Sequence, residues 1–355
     1  MIDLVAGNLL EADAEALVNS VNTVGVMGKG VALQFRQAFP DNYAAYVRAC
    51  KHNEVKPGLM FVVPSGTLGN PRYIINFPTK RHWRQKSRLS DIRLGLVDLV
   101  DVIKKLGIKS VALPPLGCGN GGLDWDDVRP AIEEALHPLA ADVNVLLFKP
   151  AGAPDPATMP VATLRPNMTP GRAGLLGVLG DYVVPGYRLA LLEIQKLAYF
   201  LQAADQPLDL DYVKHKYGPY AEKLNHVLQR MEGHFIRGYG DRSSNLGAQI
   251  NLIEDAVTQA RDFLANDPDT LSRFERVKRL IEGYETPYGL ELLATVHWVA
   301  TRLNILAASD VSQAVEGVHR WNKRKEDLFP GEHIRLAWER LASQGWFGQA
   351  PTTSP

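Results

Sequence analysis

The chain is 355 residues long, 46% hydrophobic and 22% charged, which is enough for about two packed domains and excludes a disordered chain. Its 39 Lys+Arg balance 39 Asp+Glu, so no overall field draws it to nucleic acid or to a membrane, and any such affinity has to be local. Two cysteines, Cys50 and Cys118, exclude a disulfide framework, no His/Cys cluster calls for a metal or cofactor, and neither a signal-peptide pattern nor an apolar run of about 18 residues is present.

The expected setting is therefore the cytoplasm, with no membrane partner. Short β-branched and aromatic runs predict strands at Ile2–Ala6, Ala16–Asn19, Leu59–Val63, Tyr73–Phe77, Ser110–Leu113 and Val143–Phe148. Helical periodicity predicts helices at Val31–Phe39, Asn42–Lys51, Leu89–Leu106 and Trp125–Leu136. The alternation is an α/β pattern over residues 1–150.

Two glycine-rich segments, Gly25–Gly30 and Gly117–Gly122, each follow a strand and lead to a helix. Backbone N–H groups without side chains in the way can approach a phosphate, and two such loops converging can cradle a diphosphate. The second formally reads G-x-G-x-x-G. A dinucleotide fingerprint is disfavoured, because the motif comes late, follows Pro114-Pro115, and the next strand ends in Phe148-Lys149 rather than in an acid.

The run Asn76–Arg84 places Lys80 beyond a strand. Because Pro78 cannot extend a ladder, the strand is expected to stop at Phe77 and leave Lys80 just past its carboxyl end, where open α/β sheets hold ligands. A lysine whose pKa is lowered by burial or by the nearby Arg81, His82 and Arg84 can act as a nucleophile; a charged one can only donate a proton or hold a phosphate. Arg81, His82, Trp83 and Arg84 join phosphate donors to a ring on which an unpaired base can stack, which suits single-stranded DNA.

Residues 151–168, with Pro154, Pro156, Pro160 and Pro166, read as an interdomain linker. Thr169-Pro170 then starts a mainly α second domain, residues 169–355. Apolar positions Leu189 to Leu201 recur at helical spacing, and further helices are expected at Ile253–Leu264, Leu271–Ile281, Leu290–Leu303, Val311–Lys323 and Ile334–Gln344. Tyr217-Gly218-Pro219-Tyr220 is expected to end a helix and leave two rings in a turn. The tail Pro351–Pro355 is expected to fray.

Four segments, Val5–Leu9, Val18–Asn22, Gly28–Ala32 and Leu113–Gly119, resemble in order the ADP-ribose-binding elements of the macrodomain family, and Asn76–Lys80 is similar to its lysine-dependent hydrolases. The resemblance implies a mixed sheet flanked by helices. It puts Asn8 and Leu9 beside the adenine, Asn22 before the distal ribose, and Gly28, Lys29, Gly30 and Val31 on the diphosphate. Pro115, Leu116, Gly117, Cys118, Gly119 and Asn120 form the second loop, with Thr79 beside it and Lys80 as the reactive lysine.

Within the family the likeness is to antitoxins that remove ADP-ribose from thymine in DNA. It implies ADP-ribosylated single-stranded DNA as substrate and a DarT-type toxin as partner. Where the lysine-dependent relatives carry an aspartate two residues after Gly-Cys-Gly, this chain has Gly121, with Asp124 a neighbouring candidate that can equally cap a helix. A reader that binds ADP-ribose without cleaving it stays open on that ground.

In the second domain, Lys196-Leu197-Ala198-Tyr199-Phe200 and Lys216–Tyr220 resemble a domain of toxin-neutralising antitoxins. This implies toxin contact, with Tyr217 and Tyr220 as candidates. A further alternative is a winged-helix-like end, Val311–Phe347, touching operator DNA through Trp321–Lys325.

Overall fold

The computed structural model describes residues 1–150, 155, 158–184, 186–240 and 249–348. Pro154, Pro156 and the tail Pro351–Pro355 lie outside them. Contacts separate the chain into two compact units that meet in sequence at Leu164 and Arg165.

The first unit is a six-stranded sheet of β1 (Ile2–Val5), β2 (Ala16–Asn22), β3 (Phe61–Pro64), β4 (Tyr73–Lys80), β5 (Ser110–Leu113) and β6 (Asn144–Phe148), in the order β1-β6-β5-β2-β4-β3. All neighbours are parallel except β3 and β4. Helices α1 (Gly30–Ala38), α2 (Pro40–Lys51), α3 (Leu89–Leu106) and α4 (Trp125–Leu136) cover both faces. Alternation along the strands assigns the faces. Val18, Ile75, Val111 and Leu113 pack with Ile92, Leu96 and Leu99 of α3 and Val128 and Ile132 of α4, whereas Leu17, Ile74 and Ala112 pack with Phe35 of α1.

Local chemistry sets the helix ends. Pro40 is the first residue of α2, so α1 has to stop before it, and Gly107 takes the left-handed conformation (φ 63°) that closes α3. Beneath the carboxyl ends of the central strands lies a buried amide cluster: Asn19 donates to Asn76 (3.0 Å), and Asn76 donates to Asn42 of α2 (2.7 Å) and to the Phe61 carbonyl of β3 (3.1 Å).

One strand differs from expectation. β4 continues through Pro78 to Lys80 instead of ending at Phe77. Strand β3 pairs with β4 only as far as Asn76, so beyond it β4 has a neighbour on one side only, where a proline is tolerated. The linker also differs, because Met159 is buried and the Ala162 amide donates to the Gln37 carbonyl (2.9 Å), so this stretch packs on the first unit.

The second unit holds α5 (Pro170–Tyr182), β7 (Leu189–Ala190), α6 (Leu191–Ala203), β8 (Tyr212–His215), β9 (Gly218–Ala221), α7 (Glu222–Met231), β10 (Ile236–Arg237) and β11 (Gln249–Leu252). It continues with α8 (Glu254–Ala265), α9 (Pro268–Ile281), α10 (Pro287–Trp298), α11 (Val311–His319), α12 (Lys323–Leu328) and α13 (Gly331–Ser343). The mainly α reading holds, and Thr169 caps α5 through a hydrogen bond from the Arg172 amide. Two local expectations do not. Tyr217 does lie in a turn, the two-residue turn Lys216-Tyr217, but it joins strands β8 and β9 rather than ending a helix, and Gly218 (φ 95°) to Tyr220 belong to β9. The helix expected over Val311–Lys323 breaks at Arg320–Asn322, where Asn322 caps the new helix α12.

Candidate active site

The two glycine loops and Lys80 converge. Gly30 sits at φ 63° as the first residue of α1, and a Cβ built on it lies 3.0 Å from the Asn120 side-chain nitrogen, so the first loop abuts the second. Lys80 ends β4 and its Nζ donates to the Asn120 carbonyl. The strand end, loop one and loop two therefore share one place.

Burial lowers the Lys80 pKa from the ordinary lysine value. Of the two expected causes, burial is the one that acts, and Arg81 turns away to the buried Asp91 of α3 (2.8 Å). The thiol of the second loop is unreactive by comparison. Burial and the Asp124 charge push the Cys118 thiol up to about 11, leaving it protonated near neutral pH.

The loops are built around backbone. Gly119 is exposed and a Cβ there meets nothing within 4 Å, so a side chain at this position would enter the open space the loop faces. Gly121 is the reverse: its Cβ would fall 2.1 Å from the Gly117 carbonyl and 2.4 Å from Ser87 Oγ. No carboxylate fits at position 121 on this backbone. Asp124 caps α4, accepting from the Asp126 amide (3.0 Å), and so has the helix role foreseen for it.

Several expected ligand residues are engaged inside the protein. Asn22 is buried; its Oδ1 accepts from the Val24 and Val26 amides and from the Tyr46 hydroxyl, which makes it the organiser of the first loop. Thr79 is buried, with its hydroxyl against Ser20 (2.9 Å) and the Val21 carbonyl, and is corrected from ligand contact to strand pairing. Asn8 accepts from the Leu10 amide and donates to Glu11, capping a short turn that buries Leu9. Leu116 and Gly117 are buried, Pro115 and Cys118 partly so, and Lys29, Gly119 and Asn120 are exposed, while Gly28 and Val31 are intermediate.

The basic run is reshaped as well. Arg81 is tied to Asp91, and Trp83, 47% exposed, stacks with His82 (5.4 Å between centroids) and carries Arg84 over its ring (4.5 Å). Trp83 and Arg84 remain at the surface; Arg81 is half-exposed as well, with its guanidinium tied to the buried Asp91. Sequence reasoning missed Asp91, Thr23 and Tyr46. An acid in the first helical turn after a cationic run signals Asp91; nothing in the sequence signals Thr23.

In the second unit the two motif segments bind each other. Lys196 is buried and donates to the Pro219 carbonyl (2.7 Å), and Gln195 both donates to the Ala221 carbonyl and accepts from its amide. From the other side, Trp321 donates to the His215 carbonyl and Asn322 to that of Lys216. Lys325 is wholly buried on Glu291 (2.8 Å) and Thr295 (2.9 Å), and Arg324 pairs with Glu291 and lies over Tyr217. Burial brings Lys196 down to about 7, assisted by the Lys325 charge, and brings Lys325 down to about 8 against the pull of Glu291. Trp321 and Lys325 are therefore buried and Arg324 is tied to Glu291, so of the cations expected on operator DNA only Lys323 is fully exposed. Tyr217 is half-buried beneath Arg324, and Tyr220 is half-buried with its hydroxyl on Glu222 (3.0 Å).

The sheet, the paired glycine loops and the lysine at the end of β4 define the first unit as a macrodomain, and the Macro domain family matches residues 18–132. The similarity extends well beyond that unit. A DNA ADP-ribosyl glycohydrolase of Thermus aquaticus is 49% identical over 345 residues, 97% of this chain and 94% of the relative. The chain belongs to the DNA ADP-ribosyl glycohydrolase family. A DNA ADP-ribosyl transferase-DNA ADP-ribosyl glycohydrolase fusion protein of Thermosipho africanus is 39% identical over 169 residues, 43% of this chain and 44% of the fusion. Among solved structures, the macrodomain of Thermus aquaticus DarG is 59% identical with a TM-score of 0.41, covering 42% of this chain and 99% of that one. No helix among the described residues is long and apolar enough to cross a membrane, and no described group of His, Cys, Asp and Glu could hold a metal.

Proposed function

We propose that this glycohydrolase breaks the N-glycosidic bond between ADP-ribose and thymine in single-stranded DNA, with Lys80 as nucleophile. One observation carries the reading: the lysine at the end of β4 has a lowered proton affinity and reaches a glycine loop that abuts a second one. The diphosphate rests on backbone of the two loops, through Gly28, Lys29, Gly30 and Val31 on one side and Gly117, Cys118 and Gly119 on the other. Asn8 and Leu9 lie toward the adenine end.

The free amine of Lys80 attacks the anomeric carbon of the distal ribose as the bond to the base nitrogen breaks. The electron pair leaves with the base, and the proton lost by the attacking nitrogen balances the one the base gains. Opening of the sugar ring gives an imine, and water then releases ADP-ribose and restores the amine. With no room for a carboxylate at position 121, the desolvated lysine supplies the chemistry without the aspartate of its lysine-dependent relatives. Trp83 and Arg84, exposed beside Lys80 in sequence, suit a stacked base and a phosphate of a single strand.

The second unit is read as the part that binds a DarT-type toxin, a partnership supported by the relative that joins transferase and glycohydrolase in one chain. A cytoplasmic location accords with a DNA substrate.

Purified protein incubated with an ADP-ribosylated single-stranded oligonucleotide should release free ADP-ribose. Binding without release would instead make the chain a reader. For the partner, the full chain carrying Lys80→Ala should still capture the toxin in a pull-down and suppress its transferase activity; failure on both counts would remove the toxin-binding assignment.

A further inference from the structure

The residue after the reactive lysine is held at both of its ends. The Thr23 hydroxyl of the first loop donates to the Arg81 carbonyl (2.6 Å), and the Arg81 guanidinium pairs with Asp91 (2.8 Å). Asp91 stands in the first turn of α3 with only 6% of its side chain exposed. The Arg81 side chain is half-exposed, but its partner is a buried carboxylate, which is disfavoured without a cation beside it.

The position needs holding. Lys80 is the last residue of β4, beyond the point where β3 has ended, and its pairing with Asn22 follows a register irregularity between Val21 and Asn22. A strand end with one neighbour and a broken ladder would otherwise fray. Thr23 is the next residue after Asn22, so the loop that faces the ligand and the helix α3 both grip the same link of the chain.

We propose that Thr23 and Asp91 are positioning residues that clamp Arg81 and thereby aim the Lys80 amine at the ribose. The clamp rests on the reading of Lys80 as nucleophile given above. It makes Arg81 an anchor for the strand end, and it ties the first loop to the residue next to the nucleophile through the Thr23 hydroxyl.

Misplacement of a reacting group by about 1 Å costs on the order of 100-fold in rate. Asp91→Asn should accordingly lower kcat by roughly 10- to 100-fold while ADP-ribose affinity, read by calorimetry, stays within about threefold. Thr23→Val should lower kcat by roughly tenfold, and Thr23→Ser, which keeps the hydroxyl, should recover most of that loss. The Thr23 pair decides the matter if Asp91→Asn does not fold. A second readout is independent of cleavage: reductive methylation of Lys80 by formaldehyde and borohydride near neutral pH, followed by mass spectrometry of the full chain. A lysine released into water regains its proton, so methylation should slow in both Asp91→Asn and Thr23→Val.

If the wild type releases no ADP-ribose, the proposed activity fails while the methylation ratio still judges the clamp. Unchanged or faster methylation together with unchanged kcat would overturn it. So would a loss of ADP-ribose affinity in step with kcat, which would show that these contacts shape the pocket rather than aim the lysine.

Discussion

The first and second units both carry conspicuous short motifs, yet they use them in opposite directions. In the first, Gly30, Gly119 and Asn120 stay at the surface of loops, with Lys80 reaching them from a strand end. In the second, the Lys196 and Gly218–Ala221 segments are each other's partners, closed over by Trp321 and Asn322. A glycine motif keeps backbone available to something outside; a motif of long polar side chains can be satisfied wholly within.

The largest effect that sharpens this contrast is at Lys80. Lys80→Ala should abolish single-turnover release of ADP-ribose while its affinity changes no more than a few-fold, because the diphosphate is proposed to rest on backbone. Normal cleavage by the mutant would remove the lysine from the chemistry. Gly119→Glu should fold, since no atom lies near its Cβ, and should lose both binding and cleavage as its carboxylate meets the diphosphate. Calorimetry that finds affinity intact would move the ligand elsewhere.

In the second unit the matching experiment is Glu291→Ala, which strands the buried Lys325 and removes the carboxylate partner of Arg324. Removing one partner of a buried pair costs about 3–5 kcal/mol, so thermal unfolding should shift markedly and toxin capture should fall while the first unit still cleaves. The pH dependence is milder. Lys196 binds its proton more weakly folded than unfolded, so below about 7 both states are charged and the burial penalty is complete. Stability of this unit should then rise as pH climbs from about 7 toward the ordinary lysine range, and Lys196→Met should flatten the rise. The smallest effect is expected from Trp83→Ala, which should weaken oligonucleotide binding by about 1 kcal/mol, with free ADP-ribose affinity unaltered.

Much of the first unit is legible in the sequence because its boundaries have local causes. Leu89–Leu106 and Trp125–Leu136 are helices over the expected residues, one closed by Gly107 and the other opened by Asp124. Pro78 misleads because its effect depends on whether a neighbouring strand is present, a tertiary fact. The hairpin at Tyr217 misleads for a related reason. Gly-Pro is punctuation in either setting, and only the docking of Lys196 and Gln195 selects a strand. Among candidate site residues, the convergence of the two glycine loops was readable, whereas Asn22 and Thr79 turn inward through hydrogen bonds that no sequence pattern announces.

The buried amides of Asn19, Asn42 and Asn76 have a consequence for how the chain assembles. Asn76 lies opposite Asn19 on one side and Phe61 on the other, and it bonds to β2, β3 and α2 at once. A slip of β4 by two residues would keep its apolar side chains on their proper faces, and a core made only of hydrocarbon would tolerate it. With the asparagines present, the same slip leaves several amides sealed without partners, at about 1–3 kcal/mol for each group. The cluster thus works as a check against misthreading: four residues before Lys80, it rejects the near-miss alignments that would leave that side chain one rung too deep or too shallow.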